Sequence, residues 1–361
     1  MNPLPEIIRR EIAASGAIPF ARFMELALYS PQLGYYERKL DAVGQRGDFY
    51  TSVSVGTLFG EMLAFQFAEW LEAEARSQKP EARIIEAGAH DGKLAADILN
   101  WTQANRPELF ARLEYLILEP SPQRQQWQRE TLVKFAPHVH WPDYQLSTLN
   151  QQLSGILFSN ELLDAFPVHR LGWDARAGNW FEWGVALAGD QFVWAKLSTF
   201  NFQPSTAGLE SVLPDGYTIE VCPAAAAWWR EAAGALRCGK LVAIDYGLTA
   251  DELFRPERSG GTLRGYHRHH ASDDVLANPG EQDITAHVNF SAIQEAGEAA
   301  GLQTEGLISQ PKFLTDIAAR IWKNPGVFGE WTPAQTRQFQ TLTHPQHLGR
   351  AFRVLVQSRQ A

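Results

Sequence analysis

A chain that carries RIIEAGAHDGKLAADIL at residues 83–99 is committed to a strand, a tight turn and a helix in direct succession. Arg83-Ile84-Ile85-Glu86 is a short apolar run that stops at glycine, and Leu94, Ala95, Ile98 and Leu99 then recur with helical spacing. Gly88 and Gly92 let the backbone turn sharply and approach a ligand, while the unpaired N–H groups of the first helical turn face the crevice beyond the strand. Taken singly, such a glycine turn is more often plain turn chemistry than a cofactor cradle. The next strand sharpens it. Tyr115-Leu116-Ile117-Leu118 ends in Glu119, 27 residues past Gly92, where nucleotide-binding folds place the acid that accepts hydrogen bonds from a ribose. Adenosine binding is the expectation, with a solvated strand-end glutamate as the bland alternative.

Further strands return to the same edge. Gly155–Asn160 is a buried run followed at once by Glu161 and Asp164, and Lys240–Ile244 ends in Asp245. Before the first strand, Pro5–Ser15 and Pro19–Tyr29 read as two helices, and a longer one runs from about Gly56 to Glu74. Residues 1–78 are therefore read as a helical cap and 79–361 as a Rossmann-like α/β domain. Ahead of the long helix, Asp48, Thr51 and Ser52 either contact a ligand's charged end or form an N-cap network. Residues 168–216 break into short alternating runs and are read as a β-rich insertion. Residues 259–289 are read as a long functional loop. Pro5 to Tyr29 apart, helices are expected after Glu119, at Phe290–Ala300, Lys312–Trp322 and Pro333–Leu342, with a closing strand at Phe352–Gln357.

Composition narrows the function. A net charge of −9 argues against nonspecific nucleic-acid binding. Two cysteines, Cys222 and Cys238, build neither a disulfide framework nor a metal cluster. His267, His269, His270 and His287 lack the spaced helical pair of zinc enzymes, so no metal is expected. No apolar run approaches a membrane span, and Glu6 and Glu11 among Arg9 and Arg10 are unlike a signal or transit peptide; the cytoplasm is the expected setting.

GDFYTSVSVGTLFGEMLA, EAGAHDGKLAADIL, SNELLDAFPVHR, LVAIDYG and GTLRGYHRHH with LANPGEQDITAHVNFSAI together resemble the MidA family of class I S-adenosylmethionine-dependent methyltransferases, over nearly the whole chain. The resemblance implies a doubly wound, mostly parallel sheet with an antiparallel strand near the C-terminus, and S-adenosylmethionine as cofactor. Eukaryotic mitochondrial members are protein arginine methyltransferases that assist assembly of respiratory complex I, so it implies a protein substrate, a respiratory-complex subunit among the options, with a homodimer left open. It also assigns residues. Asp48, Thr51, Ser52, Glu86, Gly88, His90, Gly92, Glu119 and Asn160 border the cofactor; Glu161 and Asp164 are the catalytic carboxylates; His287 is a proton acceptor; Asp283, Thr285 and Asn289 line the substrate side. A guanidinium stays protonated near neutral pH, so carboxylates must orient it and stabilise its charge. Two positions depart from the family pattern: His90 stands where the Glu-x-Gly-x-Gly-x-Gly motif has its middle glycine, and Val53 where many members carry proline. A noncatalytic assembly factor with a degenerate pocket, and a small-molecule methyltransferase, remain alternatives.

Overall fold

The computed structural model describes the chain except residues 1, 39–50, 76–81, 143–144, 149–150, 198–211, 268–269, 324–325, 327, 329–330, 347, 349–351 and 361. It divides into two compact units: Met1–Phe49, Leu163–Ala226 and Gly247–Ala292 form the first, and Tyr50–Leu162, Ala227–Tyr246 and Ile293–Ala361 the second.

The second unit is built on seven strands: β1 (Ala82–Ala87), β2 (Leu113–Leu118), β3 (Val139–His140), β4 (Leu153–Asn160), β5 (Leu236–Leu248), β6 (Gln303–Ser309) and β7 (Phe352–Arg359). Their order across the sheet is β6-β7-β5-β4-β1-β2-β3. β7 alone runs antiparallel to its neighbours, and the other pairings are parallel. Chain order reverses between β1 and β4, which pair from Ile84↔Ile156 to Ala87↔Ser159. A ligand crevice opens at the carboxyl ends of strands flanking such a switch point, because the connections leave in opposite directions there. β4 is buried at every position but the last, the continuous apolar run that a parallel strand covered on both faces requires. Helix Leu58–Ala75 packs on it, with the Phe67 and Phe158 rings 5.0 Å apart. On helix Gln310–Lys323, Phe313, Leu314, Ile317, Ala318 and Ile321 are buried at i, i+3 and i+4 spacing, so the apolar stripe itself dictates which face turns inward.

The first unit holds the two N-terminal helices and the β-rich segment. Helix Leu4–Ser15 buries Leu4, Ile8 and Ile12, and Phe20–Tyr29 buries the expected Phe20, Phe23, Leu26 and Ala27. An antiparallel sheet orders Ile18–Pro19, Asn179–Ala188, His169–Asp174 and Thr218–Val221, with Gln191–Lys196 also on Asn179–Ala188. Phe20 and Phe23 meet Trp194 and Phe192 at 4.9 and 5.5 Å, and burial of each such ring is worth about 2 kcal/mol. Residues 259–289 are more ordered than the expected loop. Arg264–His267 pairs antiparallel with both His270–Ser272 and Asp283–Thr285. Strands of three or four residues, rich in His, Arg and Asp, show no apolar alternation, which is why the sequence reads them as loop.

Candidate active site

The β1 turn explains its own sequence. Gly88, His90 and Gly92 have φ of 73°, 46° and 82°, so every second residue of the loop is left-handed. Gly92 N–H donates to the Ala89 carbonyl at 2.7 Å, closing the turn, and Lys93 opens the helix Lys93–Asn105. Glycine adopts such φ freely, whereas histidine does so at a cost of roughly 1 kcal/mol. The His90 imidazole is 40% exposed and lies 3.8 Å from the Asp91 carboxylate. Burial would raise the Asp91 pKa, yet the nearby His90 ring, the Lys93 N–H and the Lys93 charge hold it below its ordinary value.

Glu86 and Glu119, at or just beyond adjacent strand ends, differ sharply. Glu86 is buried and its Oε2 accepts the Tyr115 hydroxyl at 2.7 Å; burial pushes its pKa up to about 7 against that bond, with Asp91 adding to the rise. Glu119 is buried too, but well satisfied. Its Oε1 accepts Ser121 N–H and Arg124 Nε, both at 2.9 Å, and Arg124 Nη2 lies at 2.8 Å. Its Oε2 accepts Gln128 Nε2 at 3.2 Å, which leaves that oxygen a lone pair directed elsewhere.

Asn160, the last residue of β4, and Glu161 after it lead into Leu162, whose Cδ1 a Cβ built on Gly88 would meet at 2.7 Å. Glu161 is left-handed, with φ 52°. Asp245, fully buried on β5 three residues before its end, accepts Leu162 N–H at 3.1 Å and Tyr246 N–H at 2.8 Å, and Glu161 N–H donates to the Ile244 carbonyl. That clamp turns the chain at Glu161. The Glu161 Oε1 accepts Ser52 N–H at 3.1 Å and Asn160 Nδ2 at 3.2 Å. Ser52 Oγ in turn donates to Gln310 Oε1. Thr51 takes the capping alternative, its Oγ1 accepting Ser54 N–H and its N–H donating to Ser54 Oγ. Lys93 Nζ donates to the Val53 carbonyl, so residues 51–55 lie against the start of the helix that follows the turn. Asp48 lies outside the described residues.

The remaining candidates belong to the first unit. Asp164 is buried in a short 3-10 turn, and its carbonyl accepts Ala286 N–H at 3.0 Å. Asp283 is fully buried, accepting the Tyr36 hydroxyl at 2.7 Å; burial, then Asp283, Tyr29 and Asp164, drives the Tyr36 pKa well up. Thr285 sits opposite Arg264 on the three-stranded sheet, and Asn289 Oδ1 caps the following helix at Ala292 N–H. The His287 backbone N–H donates to Thr262 Oγ1, and Thr262 donates its own N–H and hydroxyl to Glu220 Oε2. His287 Nδ1 has no hydrogen-bond partner among the described residues. Burial, with Arg258 and Arg264 adding, lowers its pKa to about 4, which keeps the ring neutral near pH 7. Among the described residues no group of three His, Cys, Asp or Glu side chains is placed to hold a metal ion, and no helix is long and apolar enough to cross a membrane.

Sequence reasoning missed Arg124, Gln128, Thr262 and Glu220. Only Asp245 left a signal, as a third acid at a strand end.

Residues 62–308 match the family model described as an S-adenosyl-L-methionine-dependent methyltransferase. The chain belongs to this family. A superfamily member from Burkholderia thailandensis bound to S-adenosyl-homocysteine is 36% identical, with 99% of this chain and 92% of that one covered and a TM-score of 0.84. Human "Protein arginine methyltransferase NDUFAF7, mitochondrial" is 28% identical over 97% of this chain and 83% of its own length, and the Drosophila melanogaster homolog 27% over 98% and 84%. This chain is a methyltransferase that uses S-adenosylmethionine. The expected cytoplasmic setting is corrected, because these relatives carry "mitochondrial" in their names and the lack of a leader-like pattern does not decide a compartment.

The residues present fit the cofactor. Asn160 Oδ1 is buried with no hydrogen-bond partner among the described residues, Glu119 Oε2 keeps acceptor capacity, and the left-handed turn sits at the switch point between them. When bound, the cofactor supplies a methyl already activated by its sulfonium. Gly88→Ala is expected to cost about 1–2 kcal/mol of stability through its positive φ and to weaken S-adenosylhomocysteine binding about tenfold. Urea unfolding and calorimetry read the two effects separately, and unchanged affinity would remove the turn from the cofactor's surroundings.

Proposed function

We propose that this methyltransferase transfers its methyl group to an arginine side chain of a partner protein. The observation that carries the reading is that curated relatives matched over nearly the whole chain are named protein arginine methyltransferases. The side chains support it chemically: the Glu161 carboxylate accepts Ser52 N–H, the Asp283 carboxylate accepts the Tyr36 hydroxyl and Asp164 is buried, and carboxylates are the groups a protonated guanidinium demands. In this proposal Glu161 and Asp164 orient the guanidinium and stabilise it as a proton leaves, while Asp283, Thr285 and Asn289 line the acceptor side. His287, neutral but weakly basic, serves better as a hydrogen-bond acceptor than as the general base. Ser52, Asn160 and the β1 turn hold the cofactor, with Glu86 behind the turn and Glu119 on the ribose. A respiratory-complex subunit as partner, and a homodimeric enzyme, belong to the same proposal.

Incubation of the purified protein with methyl-labelled cofactor and cell extract, followed by acid hydrolysis of the labelled polypeptides, tests it. Label is expected in methylarginine. Recovery only in lysine, or only in small molecules, would overturn the arginine reading without touching the methyltransferase assignment.

A further inference from the structure

The helix Pro122–Thr131 is polar in sequence, PQRQQWQRET, yet Gln128 on it is fully buried. Its amide reaches three separate parts of the cofactor side at once. Nε2 donates to the His90 carbonyl at 3.0 Å and to Glu119 Oε2 at 3.2 Å, and Oε1 accepts the Trp141 Nε1–H at 2.8 Å. The amide's orientation is fixed by chemistry. Two acceptors face its NH2 and one donor faces its oxygen, so a flipped amide would set every contact against a like partner.

We propose that Gln128 is a positioning residue for S-adenosylmethionine, holding the left-handed turn at His90 and the free lone pair of Glu119 in one register. Three facts combine. His90 is the member of the alternating left-handed series that carries a side chain, so its peptide is the one whose conformation needs an external hold. The Gln128 bond to the His90 carbonyl supplies that hold from outside the turn. On Glu119, Arg124 and Ser121 N–H take Oε1, so the direction left open on Oε2 is set by where Gln128 sits. Gln128 itself cannot drift, because Trp141 anchors its oxygen and Arg129 stacks over the Trp141 ring with its guanidinium carbon 4.2 Å from the centroid. A close side-chain neighbour adds the packing constraint: a Cβ on Gly92 would meet Leu132 Cδ1 at 3.1 Å and the Gln128 Cα at 3.4 Å, so helix and turn are already in van der Waals register. The inference concerns the cofactor alone and does not depend on arginine being the acceptor.

Gln128→Met keeps the length of the side chain and removes all three hydrogen bonds. It is expected to raise the dissociation constant of S-adenosylhomocysteine, measured by calorimetry on the full chain, at least about tenfold, the consequence of leaving buried partners unsatisfied. The KM for S-adenosylmethionine is expected to rise in step, with kcat at saturating cofactor within about twofold of the parent, since the reacting groups are not touched. Gln126→Ala, on the exposed side of the same helix beside Glu130, is expected to leave both unchanged. Affinity within twofold of the parent in folded Gln128→Met, even with a lowered melting temperature, would overturn the proposal and leave Gln128 a core residue. An equal loss in Gln126→Ala would overturn it as well. Should Gln128→Met fail to fold by circular dichroism, Trp141→Phe carries the test: it removes the indole N–H with the five-membered ring while keeping an aromatic ring under Arg129, and a weakening of about threefold or more supports the proposal, while a smaller change rejects it.

Discussion

Glu161→Gln is expected to lower the rate of methyl incorporation into protein by at least about 100-fold, with S-adenosylhomocysteine binding changed no more than about threefold. The substitution is nearly isosteric, and an amide oxygen can still accept the Ser52 N–H and the Asn160 amide, so the backbone turn fixed by Asp245 is retained. What disappears is the charge. Attack on a sulfonium methyl needs the nucleophile at near-attack distance, and for a guanidinium it also needs a negative group that localises the positive charge and stabilises the cation until its proton is lost. A neutral amide does neither. The left-handed φ at Glu161 matters here, because strain at a non-glycine residue persists only where surrounding bonds enforce it, and the Asp245 and Ile244 contacts do so. Single-turnover rates with labelled cofactor, alongside calorimetry, separate loss of chemistry from loss of binding. Full activity in the Gln variant would move the catalytic carboxylate elsewhere; loss of cofactor binding in step with activity would make Glu161 a cofactor residue.

The parts of this molecule legible in its sequence are those governed by local periodicity. β1, its glycine turn and the helix after it follow from apolar spacing, and β2 to Glu119 and β4 to Glu161 repeat the pattern, so the carboxyl edge was readable before any coordinate. The alternation of left-handed residues through Gly88, His90 and Gly92 gives a physical reason for the family's glycine spacing, and His90 takes the same positive φ with its ring partly exposed beside Asp91. Illegible features were those made by tertiary contact. Gln128 sits on a helix whose sequence reads as solvent-facing, and nothing local says that it is buried against a turn 38 residues away in sequence. Glu119 reads in the sequence as an acid beyond a strand end, but the pairing of its Oε1 with Arg124 depends on the helix folding back over that strand end. Asp245 was visible as an acid; its use as a backbone clamp was not, because an aspartate that accepts two N–H groups has the same sequence signature as one that meets a ligand. The short strands within residues 259–289 were missed for lack of length.

The stability difference between the parent and Glu86→Gln is expected to shift by about 3 kcal/mol between pH 4.5 and pH 8, the parent losing ground as pH rises. Glu86 lies between strands with its carboxyl on the Tyr115 hydroxyl, and burial raises its pKa from 4.5 to about 7. In the unfolded chain it ionises near its ordinary value. Between those two values the folded state therefore holds a proton that the unfolded state has released, so raising pH favours unfolding. The stabilisation is fully present below the unfolded pKa and is lost as pH passes through the folded one. Glutamine cannot ionise, so its curve lacks this component. Any fixed cost of the amide's extra N–H groups is the same at every pH, and other titrating groups, Glu220 and His287 among them, contribute equally to both proteins, so the difference isolates Glu86. Urea unfolding at pH 4.5 and pH 8 measures it. A difference constant to within about 0.5 kcal/mol would mean that Glu86 is ionised in the folded protein throughout, which would require a cation or water beside it and would place the carboxylate in contact with the cofactor crevice instead of behind it.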